Sequence, residues 1–187
     1  MTYEACDLCP RACGVDRTRG ERGACRMTSR LVLARAALHH WEEPCISGTA
    51  GSGTVFFSGC PLGCVYCQNH EIADGSHGLA VDDGRLEEIF FELRDAGAHN
   101  INLVTPTHFA PTVAKAIRRA RDAGFALPFV CNTSGYESTE TLRALDGLID
   151  IYLTDLRYAR PATAAAYSHA PDYPAVARAA LAEMVRQ

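Results

Sequence analysis

Thr54-Val55-Phe56-Phe57-Ser58-Gly59-Cys60-Pro61-Leu62-Gly63-Cys64-Val65-Tyr66-Cys67-Gln68-Asn69-His70 is a short apolar run followed at once by three closely spaced cysteines. Thr54 to Ser58 is rich in Val and Phe and reads as a buried strand. Behind it the spacing is C-x3-C-x2-C. Three thiolates on one tight loop can hold three corners of a cubane iron–sulfur cluster and leave one iron open to a non-protein ligand. Gly59 and Gly63 suit a loop that needs unusual backbone angles. Zinc is the alternative, because Cys60, Cys64, Cys67 and His70 are ligand types it accepts. Zinc ribbons, however, usually separate their ligands into two couples, and here all four crowd eleven residues.

Downstream the pattern repeats. Leu86, Ile89, Phe90 and Leu93 fall on one helical face, with Asp82 or Asp83 to cap its start and Gly97 to end it. Ile101 to Val104 reads as a strand and Pro111 to Ala123 as a helix closed by Gly124. Leu127 to Cys131 and Ile149 to Leu153 repeat the strand signal around a helix from Ser138 to Asp146, ended by Gly147. Strands alternating with helices at this pitch predict parallel strands joined by right-handed crossovers, an α/β fold. Ser58, Thr105, Asn132 and Asp155 stand where the strands run out, the end at which such folds build their sites.

The loop resembles that of the radical S-adenosylmethionine (SAM) enzymes, whose hallmark is C-x3-C-x-aromatic-C after the first strand of a partial (β/α)6 barrel. Cys60, Cys64, Tyr66 and Cys67 match it. Cys67-Gln68-Asn69, Asn132-Thr133-Ser134-Gly135 and Asp155-Leu156-Arg157 extend the resemblance to proteins related to pyruvate formate-lyase activating enzyme, in the uncharacterised branch with an N-terminal Cys-x2-Cys-Pro module. The resemblance implies a 4Fe-4S cluster on Cys60, Cys64 and Cys67 that binds SAM and cleaves it reductively to a 5′-deoxyadenosyl radical, which takes a hydrogen atom from the substrate. It also implies a one-electron reductant of the flavodoxin or ferredoxin type. The implied target is a glycyl-radical enzyme or a small molecule. By the same resemblance Tyr66 lies beside the adenine, Asn132 meets the ribose hydroxyls, and Arg157, next to Asp155, pairs with the SAM carboxylate. The family's Gly-Gly-Glu run is replaced by Thr105-Pro106-Thr107-His108, which leaves Thr105, then His108, as partners for the SAM amino group.

Residues 1–50 read as a Cys-rich metal-binding module and linker, and residues 51–187 as the radical SAM core. Cys6, Cys9, Cys13 and Cys25 lie among turn residues that cannot bury much apolar surface, so metal binding would supply folding energy. Zinc and an auxiliary iron–sulfur cluster both suit the spacing, and a metal-free module is the third reading. His39-His40-Trp41-Glu42-Glu43-Pro44 is the linker, with Trp41 expected to staple module to core. Cys45 and Cys131 are expected to be buried thiols.

Composition sets the outer limits. The first 35 residues hold seven arginines against four acids, a local net of +3, within a chain of net charge −4. That balance gives little reason to expect a nucleic-acid partner. No apolar run approaches the ~20 residues of a membrane span. The N-terminus shows no secretory signal, so a cytoplasmic protein is expected. Nine cysteines in a reducing compartment read as metal ligands before disulfides. Only four strand–helix units are counted where the resembled family has six, so a core incomplete at its C-terminal side, with an open edge strand, is expected. The rival reading is a non-enzymatic zinc- or iron–sulfur-binding protein, or an inactive remnant.

Overall fold

In the computed structural model, which describes residues 2–187, the run ahead of the cysteines is a central strand of one six-stranded sheet. In chain order the elements are β1 (Val32–His39), α1 (Pro44–Ser47), β2 (Ser52–Phe57), α2 (His70–Ala73), β3 (Leu79–Ala80), α3 (Asp83–Asp95) and β4 (Ile101–Val104). There follow α4 (Ala110–Asp122), β5 (Phe129–Thr133), α5 (Thr139–Ala144), β6 (Ile151–Thr154), α6 (Pro161–Ser168) and α7 (Tyr173–Arg186). The spatial order is β3-β1-β2-β4-β5-β6. β2, β4, β5 and β6 run parallel, as the alternation predicts, and β1 lies antiparallel between β2 and β3. This is an α/β fold consistent with a partial (β/α) barrel.

Period-two alternation assigns the two faces of the sheet. Val55, Leu103 and Cys131 are register neighbours, all fully buried, and Val55 and Leu103 pack with Leu86, Ile89 and Phe90 of α3 and Val113 and Ile117 of α4. One step along, Phe56, Val104, Asn132 and Leu153 form the next row and face the other way. The helix signals hold: the Asp82 carboxylate accepts from the Arg85 amide at 2.7 Å, and Ser138 caps α5.

Three features depart from the sequence reading. β1 lies within the first fifty residues, so the sheet takes in a strand from that segment; its alanine-rich run with an inserted Arg35 lacks the β-branched signature of a strand. α6 is also new, an alanine-rich helix without an apolar stripe. α7 is rotated from the face expected through Val176, Leu181, Met184 and Val185. Its buried residues are Tyr173, Pro174, Ala177, Ala180, Glu183 and Met184, while Val185 is exposed. Small side chains let α7 approach α5 and α6 closely, and that contact outweighs the larger aliphatics. Among the described residues no strand pairs with the outer side of β6, and no helix is long and apolar enough to cross a membrane.

Candidate functional site

The carboxyl ends of β2, β4, β5 and β6 open into one cavity of about 520 Å³. Its strand-borne lining includes the row Phe56, Val104, Asn132 and Leu153. Cys60, Cys64 and Cys67 line the same cavity, as do Thr105, Asp155 and Arg157. Six of the residues singled out on separate segments, together with Asn132, therefore share one space.

The cysteine loop is held from below. Ser58 is buried; its amide donates to the Val32 carbonyl at 3.0 Å and its hydroxyl donates to the His77 carbonyl. Gly59 turns the chain at φ +83, where a Cβ would stand 2.6 Å from the Cys25 carbonyl oxygen and 2.4 Å from Met27 Cγ. Only glycine fits that approach. Burial pushes the Cys60 thiol up to about 11, against the pull of the Gly63 and Leu62 amides. A metal held by this loop would have to displace that proton. The donor set, three thiols around one roomy cavity, fits a cluster with an open position. His70, the fourth ligand of the zinc alternative, is exposed at the start of α2 and does not line the cavity.

Of the remaining expected residues, Thr105, Asn132, Asp155 and Arg157 line the cavity, and Tyr66 and His108 do not. Thr105 holds φ +57, an uncommon conformation for a β-branched residue, and its amide donates to the Asn132 carbonyl at 2.8 Å. The Asn132 side-chain amide reaches Glu42 at 3.3 Å. Arg157 and Asp155 pair with each other at 2.5 Å. Tyr66 is half-exposed and is not among the lining residues. It meets Tyr158 and Tyr167 edge-on, with centroids 6.2 and 6.0 Å away. His108 is buried and bonds the Ser58 carbonyl through Nε2 at 2.8 Å, and burial lowers its pKa to about 4. It is a packing residue that supports the loop, not a cavity residue.

Sequence reading missed one wall. His39, the last residue of β1, and Trp41, Glu42 and Glu43, all assigned to the linker, also line the cavity. Trp41 is 89% exposed at this rim and does not staple a module to the core. Cys45 is exposed, whereas Cys131 is buried as expected. A tryptophan and two acids directly after a strand were the available signal, visible only once β1 is recognised. Cys6, Cys9 and Cys25 are buried and Cys13 is half-buried; none of the four lines the cavity. Among the described residues no group of three or more Cys, His, Asp or Glu side chains is arranged to hold a single metal ion.

The site is thus a mostly parallel α/β sheet with a three-cysteine loop over the carboxyl ends of its parallel strands. The family model of the radical SAM superfamily matches residues 54–179, and the chain belongs to that superfamily. It is similar to the uncharacterized protein MJ0674 of Methanocaldococcus jannaschii, at 29% identity over 165 residues, which is 83% of this chain and 46% of that protein. The chain thus spans about half the length of this curated relative. No solved structure matches the chain.

Proposed function

We propose that the chain binds a 4Fe-4S cluster through Cys60, Cys64 and Cys67 and uses it, with SAM, for hydrogen-atom abstraction, in the manner of a glycyl-radical activating enzyme. One observation carries this reading: the three thiols and the polar strand-end residues Thr105, Asn132, Asp155 and Arg157 line one cavity. When bound, such a cluster supplies the electron that breaks the sulfonium C–S bond of SAM to give methionine and a 5′-deoxyadenosyl radical.

The chain's own residues bind and orient. Arg157 offers a planar fork to the SAM carboxylate. The Asn132 side chain, steadied by Glu42, offers a donor and an acceptor to ribose hydroxyls. The turn at Thr105 presents its hydroxyl and carbonyl to the amino group. Phe56, Val104 and Leu153 give the strand side of the cavity an apolar patch. The glycyl-radical assignment rests on Cys67-Gln68-Asn69, Asn132-Thr133-Ser134-Gly135 and Asp155-Leu156-Arg157; Gln68, Asn69, Thr133 and Ser134 also line the cavity.

Anaerobic reconstitution with iron and sulfide, followed by reduction in the presence of SAM, tests the reading. Expected products are methionine and 5′-deoxyadenosine in equal amounts, lost on Cys60→Ala, Cys64→Ala or Cys67→Ala. A protein that takes up zinc alone and leaves SAM intact is the opposite result.

A further inference from the structure

Arg17 is 1% exposed, yet among the described residues no carboxylate pairs with it. Its Nη1 donates to the His108 carbonyl at 2.7 Å and lies 3.6 Å from Cys6 Sγ. Its Nη2 donates to the Thr28 carbonyl at 2.8 Å, and Nε has no partner. The rings of Tyr3 and Phe109 cover it, with centroids 4.8 and 5.3 Å from Cζ. A guanidinium stays protonated in proteins, so a full positive charge is buried here. Burying an uncompensated charge is costly, and a counter-charge is called for.

The groups around Arg17 are thiols. A turn closed by bonds from the Cys6 amide to Val15 O, Gly14 to Cys6 O, and Ala12 to Cys9 O gathers Cys6, Cys9 and Cys13. Gly23 brings in the fourth: a Cβ on it would stand 3.3 Å from Cys13 Sγ, 3.5 Å from Cys25 Sγ and 3.6 Å from Arg17 Cδ. Neutral thiols give a guanidinium no counter-charge. Four thiolates around a divalent ion or an iron–sulfur core leave the centre net negative.

We propose that Cys6, Cys9, Cys13 and Cys25 bind a thiolate-ligated metal centre, separate from the Cys60 loop, whose negative charge is partly offset by Arg17. The sulfurs are not already closed on one point, so the test reads bound metal directly. In the full chain carrying Cys60→Ala, Cys64→Ala and Cys67→Ala, purified anaerobically, zinc, iron and acid-labile sulfide are measured. Retained zinc without sulfide identifies a single ion, and retained iron with sulfide identifies a cluster; either supports the site. Adding Cys6→Ser and Cys9→Ser should remove that metal. Arg17→Met should weaken retention against a chelator about tenfold, and Arg17→Lys, which keeps the charge, should weaken it less. Metal content no higher than in the variant lacking all five cysteines overturns the proposal, as does unchanged retention in Arg17→Met. Because a cysteine variant can fail to fold, the unaltered chain is also titrated anaerobically with a mercurial. Metal released in two populations supports a second centre; release of the Cys60 cluster alone overturns it.

Discussion

The guanidinium of Arg157 lies 2.5 Å from the carboxylate of Asp155, two residues away at the open end of β6. Their side chains are 36% and 52% exposed, so the pair contributes only about 0–1 kcal/mol to folding. What it does instead is hold a cation at the rim of a cavity that Cys64 and Cys67 also line. The Arg157 amide is anchored in turn by the Tyr173 hydroxyl at 2.9 Å.

Arg157→Gln is therefore expected to separate binding from stability. A hydrogen bond to a charged group is worth ~1.5–3 kcal/mol, or roughly ten- to hundredfold in SAM affinity. The melting temperature should stay within about 4 °C, given the weak exposed pair. Equilibrium dialysis of SAM against the reconstituted protein checks the first and calorimetry the second. Unchanged affinity removes Arg157 from the site.

Thr105 carries strain at the same rim. A non-glycine residue in the left-handed region costs about 1–3 kcal/mol and persists where the surroundings impose it. Thr105→Gly should raise stability by about 1 kcal/mol in urea denaturation while weakening SAM binding through loss of the hydroxyl. A variant that loses stability would show that Thr105 packing, not backbone strain, dominates there.

Two buried groups give the stability profile opposing slopes. Burial raises the Glu137 pKa from 4.5 to about 7 and lowers that of His108 from 6.5 to about 4. The folded chain thus holds the Glu137 proton more tightly than the unfolded one, and stability falls as pH rises from 4.5 through 7. His108 does the reverse, adding stability as pH rises from 4 to 6.5. Each shift corresponds to about 3 kcal/mol, and between pH 4.5 and 6.5 they offset. Glu137→Gln removes the falling limb. Compared with the unaltered metal-free protein, the variant should gain about 3 kcal/mol between pH 4.5 and 7 in urea titrations. Parallel curves would mean that Glu137 titrates normally.

The legible parts of this molecule were those written in local chemistry. The loop Cys60-x3-Cys64-x2-Cys67, the Asp82 cap and the glycines after α3, α4 and α5 follow from spacing and backbone preference alone. β1 was not legible, because its alanines form a strand through pairing with β2, a tertiary cause. Trp41 and Glu42 were misplaced for the same reason: without β1, nothing carries them to the cavity rim. The face of α7 was set by close packing of Ala177 and Ala180, to which a count of large aliphatics is blind.

The outer edge of β6 exposes unpaired backbone beside Ile151, which is 39% exposed. Such an edge is a template for pairing with another copy. Sedimentation should show self-association that grows with concentration, and Ile151→Lys should reduce it without changing the melting temperature by more than a few degrees. A concentration-independent monomer would contradict this.

Arg11 ties the N-terminal cysteines to the cavity loop. It sits between Cys9 and Cys13, and its Nε donates to the Pro61 carbonyl at 3.0 Å while Nη2 reaches Leu62 O at 3.3 Å and Ser168 O at 2.7 Å. Its Nη1 donates to His169 O at 2.6 Å, and its Cζ lies 5.2 Å from the Tyr136 ring. One planar fork thus spans the turn between Cys60 and Cys64 and the end of α6. Arg11→Ala leaves these carbonyls without their charged donor, at a cost of ~1.5–3 kcal/mol, because the half-open site lets water replace part of it. The loop that loses its brace is the one carrying the three thiols, so iron retained after gel filtration should fall by about half or more. Arg11→Lys should recover only part, since a point charge cannot span the same set of carbonyls. Arg22→Ala is the control: Arg22 is exposed and makes a single bond, to Arg26 O at 3.0 Å, and its loss should leave iron content unchanged. Arg11→Ala protein that keeps its full iron would show that the cysteine loop stands without help from the N-terminal residues.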